Sequence, residues 1–231
     1  MRRRDLLITA SATLIASTAR AASGAPTVLE LFTSQGCSSC PPADALLGEL
    51  AQRPGVIALA WHVDYWNGLG WRDPYATRLA TDRQRAYVAR LHDEVYTPGL
   101  VVNGAALVVG SDRGAVAAAM ANAPALSLAA TLRRDTDGLV AELGETPRAV
   151  FALLAVYDPV QATAVEAGEN EGRRLHEYRI VRATHRTEAP GGAGRTLRFP
   201  AIAPGQGAAL LLQGDDLRVV GAADLAAVAP A

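Results

Sequence analysis

The chain has 231 residues, half of them apolar, with 22 basic and 23 acidic side chains and a formal charge of −1. That balance leaves no basic face for nucleic acid or an anionic membrane, and the apolar share is enough to build a core without disulfide support. Every basic residue is an arginine, so Schiff-base and lysine-nucleophile chemistry are excluded.

Residues 1–21, "MRRRDLLITASATLIASTARA", have a positive start, a short apolar middle from Leu6 to Ala16, and Ala19-Arg20-Ala21 as a small-x-small cleavage site. This pattern predicts an export signal, with an apolar run too short to span a membrane. Arg3-Arg4-Asp5-Leu6-Leu7 resembles a twin-arginine signal. The expected location is the periplasm, where disulfides persist. Without its first 21 residues the chain keeps 18 arginines and 22 acids.

Residues 26–124 read as an α/β domain. "TVLELFTS" is a short strand, and "PPADALLGELAQ" follows as a helix with Ala43, Leu46, Leu47 and Leu50 on one face. "VIALAWHVDYW" reads as a strand buried on both sides. "YATRLATDRQRAYVARLHDE" predicts a helix burying Leu79, Ala80, Tyr87, Val88 and Leu91. "GLVVNG" and "ALVVGS" form a hairpin turning at Asn103-Gly104, and "DRGAVAAAMANA" closes the unit as a helix with Val116, Ala119, Met120 and Ala123 on one side. The predicted order is β-α-β-α-β-β-α.

After Pro124 the pattern changes to short apolar or alternating runs divided by Gly, Pro, Asp and Asn. Residues 126–231 are therefore expected to form an all-β, sandwich-like domain. Within it, "GENEGRRLHEYRIVR" predicts a turn at Glu169 and Asn170 and then a solvated strand, with Leu175, Glu177, Arg179 and Val181 on one face.

The only two cysteines, Cys37 and Cys40, lie in "TSQGCSSCPPAD", after the first strand and before its helix. At the carboxyl end of a parallel strand and the positive end of a helix dipole, Cys37 is a plausible thiolate nucleophile, and Cys40, one turn further in, suits a resolving role. As a staple the pair is poor, because closing so short a loop is worth only roughly 2 kcal/mol. A zinc site needs further ligands, and His62, His92, His176 and His185 show no ligand spacing. Copper(I), content with two soft thiolates, is a second reading. Further along, Thr97-Pro98 opens the third strand in "YTPGLVVNG". Proline there fits a cis bond or an edge left free for extended substrate.

Taken together, these features resemble the thioredoxin fold. On that resemblance Cys37 is the attacking thiol, Cys40 the resolving one and Pro98 the cis-proline, with Thr97 and Pro98 binding substrate backbone. "LFTSQGCSSCPPAD", "WHVDYW", "LGWRDP", "YTPGLVVNG" and "GENEGRRLHEYRIVR" narrow it further. They resemble secreted bacterial proteins of the domain-of-unknown-function 1223 family, which are thioredoxin-like. Departures from better-known thioredoxins are Ser38 and Ser39 between the cysteines and Gly36 in place of a tryptophan before the first. Middle residues tune potential, so the direction of electron flow does not carry over.

Four residues are candidates for proton transfer or for shaping a groove. On the same resemblance Glu30 is either the buried acid under the cysteines or an exposed strand carboxylate, while His62, Asp64 and Trp66 alternate along the second strand and would share a face. Trp61 and Trp71 are expected as core and loop-anchoring aromatics. The expected function is an exported thiol-disulfide oxidoreductase acting on protein or small-molecule thiols and disulfides. It would need a redox partner, no diffusible cofactor and no metal, and would contact neither nucleic acid nor, after signal removal, a membrane. The alternatives are a copper(I) or zinc carrier using the same cysteines, and a non-catalytic envelope binding module.

Overall fold

The computed structural model describes residues 25–146 and 148–227; the expected export signal lies outside them. The first seven elements are β1 (Thr27–Thr33), α1 (Pro41–Ala51), β2 (Val56–His62), α2 (Arg78–Leu91), β3 (Gly99–Val102), β4 (Ala106–Val109) and α3 (Arg113–Ala121), in the order the pattern predicts. Seven strands follow: β5 (Ala130–Asp135), β6 (Gly138–Leu143), β7 (Val150–Ala164), β8 (Arg174–Ala189), β9 (Arg195–Phe199), β10 (Gly207–Gln213) and β11 (Val219–Leu225).

Helix α1 begins with Pro41 and Pro42, whose missing N–H groups cost nothing in a first turn. It buries Ala43, Leu46, Leu47 and Leu50 against Leu29 and Leu31 of β1. Helix α2 is capped by Thr77, whose hydroxyl accepts from Ala80 N. It covers the other face of the sheet, where Ala80 and Tyr87 pack with Val28, Phe32 and Trp61. Its buried side includes Thr81 and Gln84 and leaves Leu79 45 % exposed, a shift from the expected stripe. The β3–β4 turn places Asn103 and Gly104 at φ 47° and 65°, the positive values for which this dipeptide is suited.

The two halves share one sheet of eight strands, in the order β11-β10-β7-β8-β2-β1-β3-β4. Strands β1 and β2 are parallel, and β8 joins β2 through the single pair Ala60 and Ile180. Arg179 reinforces this seam, its Nε donating to the Ala58 carbonyl and its other end pairing with Asp224. The boundary expected near Leu126 thus separates an α/β part from an all-β part without separating two sheets. Strands β5, β6 and β9 form a second sheet, which packs Leu132, Leu139 and Leu143 onto Leu154, Leu210 and Leu212 of the first. Among the described residues no helix is long and apolar enough to cross a membrane.

Strand β8 departs from the solvated strand expected. Leu175 and Glu177 are buried, and past Arg179, where φ is 52°, the alternation breaks so that Ile180 and Val181 are both buried; the β7–β8 register slips at Arg182, between the Val156–Ala183 and Tyr157–Val181 pairs. Tyr178 lies across Gly48 of α1, so closely that a Cβ at position 48 would come within 2.5 Å of its ring. A strand that reads from sequence as solvated therefore forms the seat of α1, through Tyr178 against Gly48, and lines a site through the buried Glu177.

Candidate functional site

Strand β1 ends at Thr33, and residues 34–40 turn through hydrogen-bonded bends into α1, with Cys40 as the N-cap. Cys37 and Cys40 are joined in a disulfide with Cα atoms 5.4 Å apart. Both cysteines are fully buried although Ser38 and Ser39 are exposed, and Ser39 Oγ lies 3.3 Å from Cys37 Sγ. At Gly36 an added Cβ would stand 3.0 Å from Trp66 Cβ, so the loop has no room there for the large side chain the resemblance would supply. Trp66 reaches the other way, donating its Nε1–H to Thr97 Oγ1 at 2.9 Å. The Thr97–Pro98 bond is cis. Pro98 lies one step past the Phe32–Gly99 pair, at the end of β1 from which the cysteine loop leaves. Of the expected site residues, Cys37, Cys40, Trp66, Thr97 and Pro98 are gathered at one end of the sheet.

Beneath the loop lies a buried polar cluster. His62, the last residue of β2, shares a 2.7 Å hydrogen bond through Nδ1 with Asp73. The same Asp73 oxygen accepts from Gln35 N at 2.9 Å. The Gln35 side chain donates to Glu177 Oε1 at 2.7 Å and accepts from Trp71 Nε1 at 2.9 Å. Thr33 Oγ1 donates to Asp44 Oδ2 at 3.1 Å. Among the described residues, Asp44 Oδ1, His62 Nε2 and Glu177 Oε2 are buried without a protein partner.

Burial raises the Asp44 carboxyl from 3.8 to about 7, against the pull of His62 and Thr33. Burial also raises Glu177. It acts downward on His62, but the carboxylates of Asp73, Asp44 and Glu177 outweigh it and hold the imidazole above its ordinary value. Asp73 is held low despite its own burial, by His62 and by the N–H groups of Gln35 and Tyr75. Asp44, one helical turn past Cys40, is therefore the member of the cluster that can exchange a proton near neutral pH.

Two expected members lie elsewhere. Glu30 faces α2, on the same side of β1 as Val28 and Phe32, and its carboxylate takes two hydrogen bonds from Arg83, at 2.6 and 2.9 Å, and one from Tyr87. It is an internal counter-ion, not an acid under the disulfide. Strand β2 ends at His62, so the alternation expected through Asp64 and Trp66 stops in a turn. Asp64 accepts from Thr81 Oγ1 at 2.5 Å, at the start of α2.

Sequence pattern assigns Gln35, Asp44, Asp73 and Glu177 no part in the site; the one local signal is Asp44 itself, a carboxylate four residues past Cys40 in an otherwise apolar helix start. Among the described residues no group of three or more His, Cys, Asp or Glu is arranged to hold a metal ion.

The sequence model of the family described as "Protein of unknown function (DUF1223)" matches residues 28–213. The fold is similar to the X-ray crystal structure of a protein from Agrobacterium tumefaciens, at 30 % identity and TM-score 0.77, covering 91 % of this chain and 98 % of that one. It is also similar to HBP35 of Porphyromonas gingivalis, at 12 % identity and TM-score 0.59, over 88 % of this chain and 76 % of the other. No curated protein matches significantly.

Proposed function

The chain belongs to the domain-of-unknown-function 1223 family, and from that premise we propose that it is an exported thiol-disulfide oxidoreductase with a thioredoxin-like N-terminal part, working through Cys37 and Cys40. One observation carries the reading: a disulfide at the strand-to-helix turn, with Thr97 and Pro98 tied to the same loop through Trp66. A staple needs neither that address nor those neighbours.

In the oxidising direction a substrate thiolate attacks Cys37 Sγ. The Cys37–Cys40 bond breaks as the mixed disulfide forms, and Cys40 leaves as a thiolate and takes up a proton. A second substrate thiolate then attacks the substrate sulfur and releases Cys37, so that two electrons enter the pair and one substrate disulfide leaves. The reverse sequence is reduction. Asp44, titrating at about 7 in the first turn after Cys40, supplies or takes the Cys40 proton in either direction. Trp66 orients Thr97, whose strand end receives the substrate backbone.

The complete burial of both cysteines favours a second reading, a non-catalytic envelope module in which the pair is passive. Expression of Cys40→Ser in the native cell envelope separates the two. An oxidoreductase accumulates mixed disulfides through Cys37, released by reductant and absent in the Cys37→Ser, Cys40→Ser double variant. A passive module traps nothing.

A further inference from the structure

The connection between β7 and β8, Val165–Arg173, comes from the all-β half of the chain and lies against the cysteine loop. Asn170, fully buried, donates its side-chain amide to the carbonyl oxygens of Gln35 at 2.9 Å and Cys37 at 3.0 Å. Arg173 Nη1 holds the Asn170 oxygen at 3.0 Å, which fixes the amide with its donors toward the loop. Glu169 accepts the Ser38 N–H at 3.0 Å. Gly168 packs on Trp71, where a Cβ would meet Trp71 Cβ at 3.1 Å. The tip is internally tied, with Val165 N to Arg173 O and Gly172 N to Val165 O both at 2.9 Å. Its two ends are therefore held to each other.

We propose that this connection is a cap over the disulfide, and that Asn170 and Glu169 are positioning residues that set how often Cys37 becomes accessible. The inference rests on the redox reading and adds a control to the same site. Thiol attack requires approach to a sulfur, and here both cysteines are buried while the loop's backbone groups at Gln35, Cys37 and Ser38 are occupied by side chains of the cap. Reaction proceeds from the opened form, in which those three backbone groups are free. The cap contributes no group to bond making; its hydrogen bonds are made only when the site is closed, so weakening them raises the population that reacts.

The test is reduction of the purified oxidised protein by dithiothreitol, with hydrogen exchange at the Ser38 amide recorded alongside. Asn170→Ala removes two hydrogen bonds from the closed form and is expected to raise the reduction rate about tenfold. Glu169→Ala, a change at an exposed side chain, is expected to raise it about threefold and to speed exchange at Ser38 by a similar factor. Exchange at Leu29 and Val101, fully buried on the inner strands β1 and β3, should not change in either variant. Equal reduction rates in both variants and the parent would overturn the cap. Faster reduction accompanied by faster exchange at Leu29 and Val101 would overturn it too, because general loosening would then explain the gain. If Asn170→Ala does not fold, Glu169→Ala decides by the same criteria. Neither result depends on the potential of the pair or on mixed-disulfide trapping, so the cap and the redox reading can fail separately.

Discussion

Gln35 and Glu177, 142 positions apart in the chain, share a buried hydrogen bond of 2.7 Å beneath the cysteine loop. The bond fastens the loop that follows β1 to a strand of the all-β half, and it closes a cluster in which Asp44, His62 and Glu177 each keep one buried polar atom free. A site built this way sets the disulfide loop against packing from both halves of the chain.

The first consequence is a pH dependence of stability. Asp44, raised to about 7, and Glu177, also raised, bind protons more tightly in the fold than in the unfolded chain, so their stabilisation is full near pH 4 and declines as pH rises. His62, also raised, adds the same sign above its ordinary value, while the lowered Asp73 acts oppositely and only on acidification below about pH 4. For Asp44 the loss between about pH 4 and 7 amounts to at most about 4 kcal/mol. Urea unfolding at pH 5 and pH 8 should show the parent losing more stability than Asp44→Asn over that interval. Identical losses would remove Asp44 as the titrating group.

Glu30 should matter for folding and not for redox chemistry. Its carboxylate is fully buried and Arg83, its partner, is 11 % exposed, so Glu30→Gln leaves a buried cation without its counter-charge and should cost about 3–5 kcal/mol. The reduction potential of the pair in the folded variant should stay within about 15 mV of the parent, half of the interval worth about 1.4 kcal/mol for a two-electron couple. A large shift in potential with little loss of stability would return Glu30 to the site.

Gly48 offers a test of the α1–β8 seat. In a free helix Gly→Ala gains about 1 kcal/mol, but here the new Cβ would lie 2.5 Å from the Tyr178 ring. Overpacking of this kind should reverse the sign, so that Gly48→Ala destabilises by about 1–3 kcal/mol in denaturant unfolding. Pairing it with Tyr178→Ala should recover much of the loss caused by the glycine change. A stabilised single variant would mean that the ring yields freely.

Much of this arrangement is legible locally. Ala43, Leu46, Leu47 and Leu50 announce α1 by spacing, Asn103-Gly104 announces the β3–β4 turn, and the address of Cys37 and Cys40 between strand and helix is visible from the residues around them. What stays hidden depends on which elements become neighbours. The parity of β1 puts Glu30 with Val28 and Phe32, but only the topology decides that their face meets α2 and not α1. Glu177 reads as surface because its strand alternates charge. Its burial follows from β8 lying next to β2 and from the break in alternation at Arg179, neither of which local periodicity encodes. Asp73 and Asn170 sit in irregular segments, where pattern gives no side to predict.

The redox assignment is tested most directly by the reduction potential of Cys37–Cys40. Equilibrating the protein in glutathione buffers, then alkylating free thiols and weighing the products, gives the oxidised fraction at each potential. A redox centre should titrate between about −270 and −120 mV, the span of thiol-disulfide oxidoreductases. A pair still oxidised at potentials below about −300 mV would behave as a structural bond and contradict the assignment.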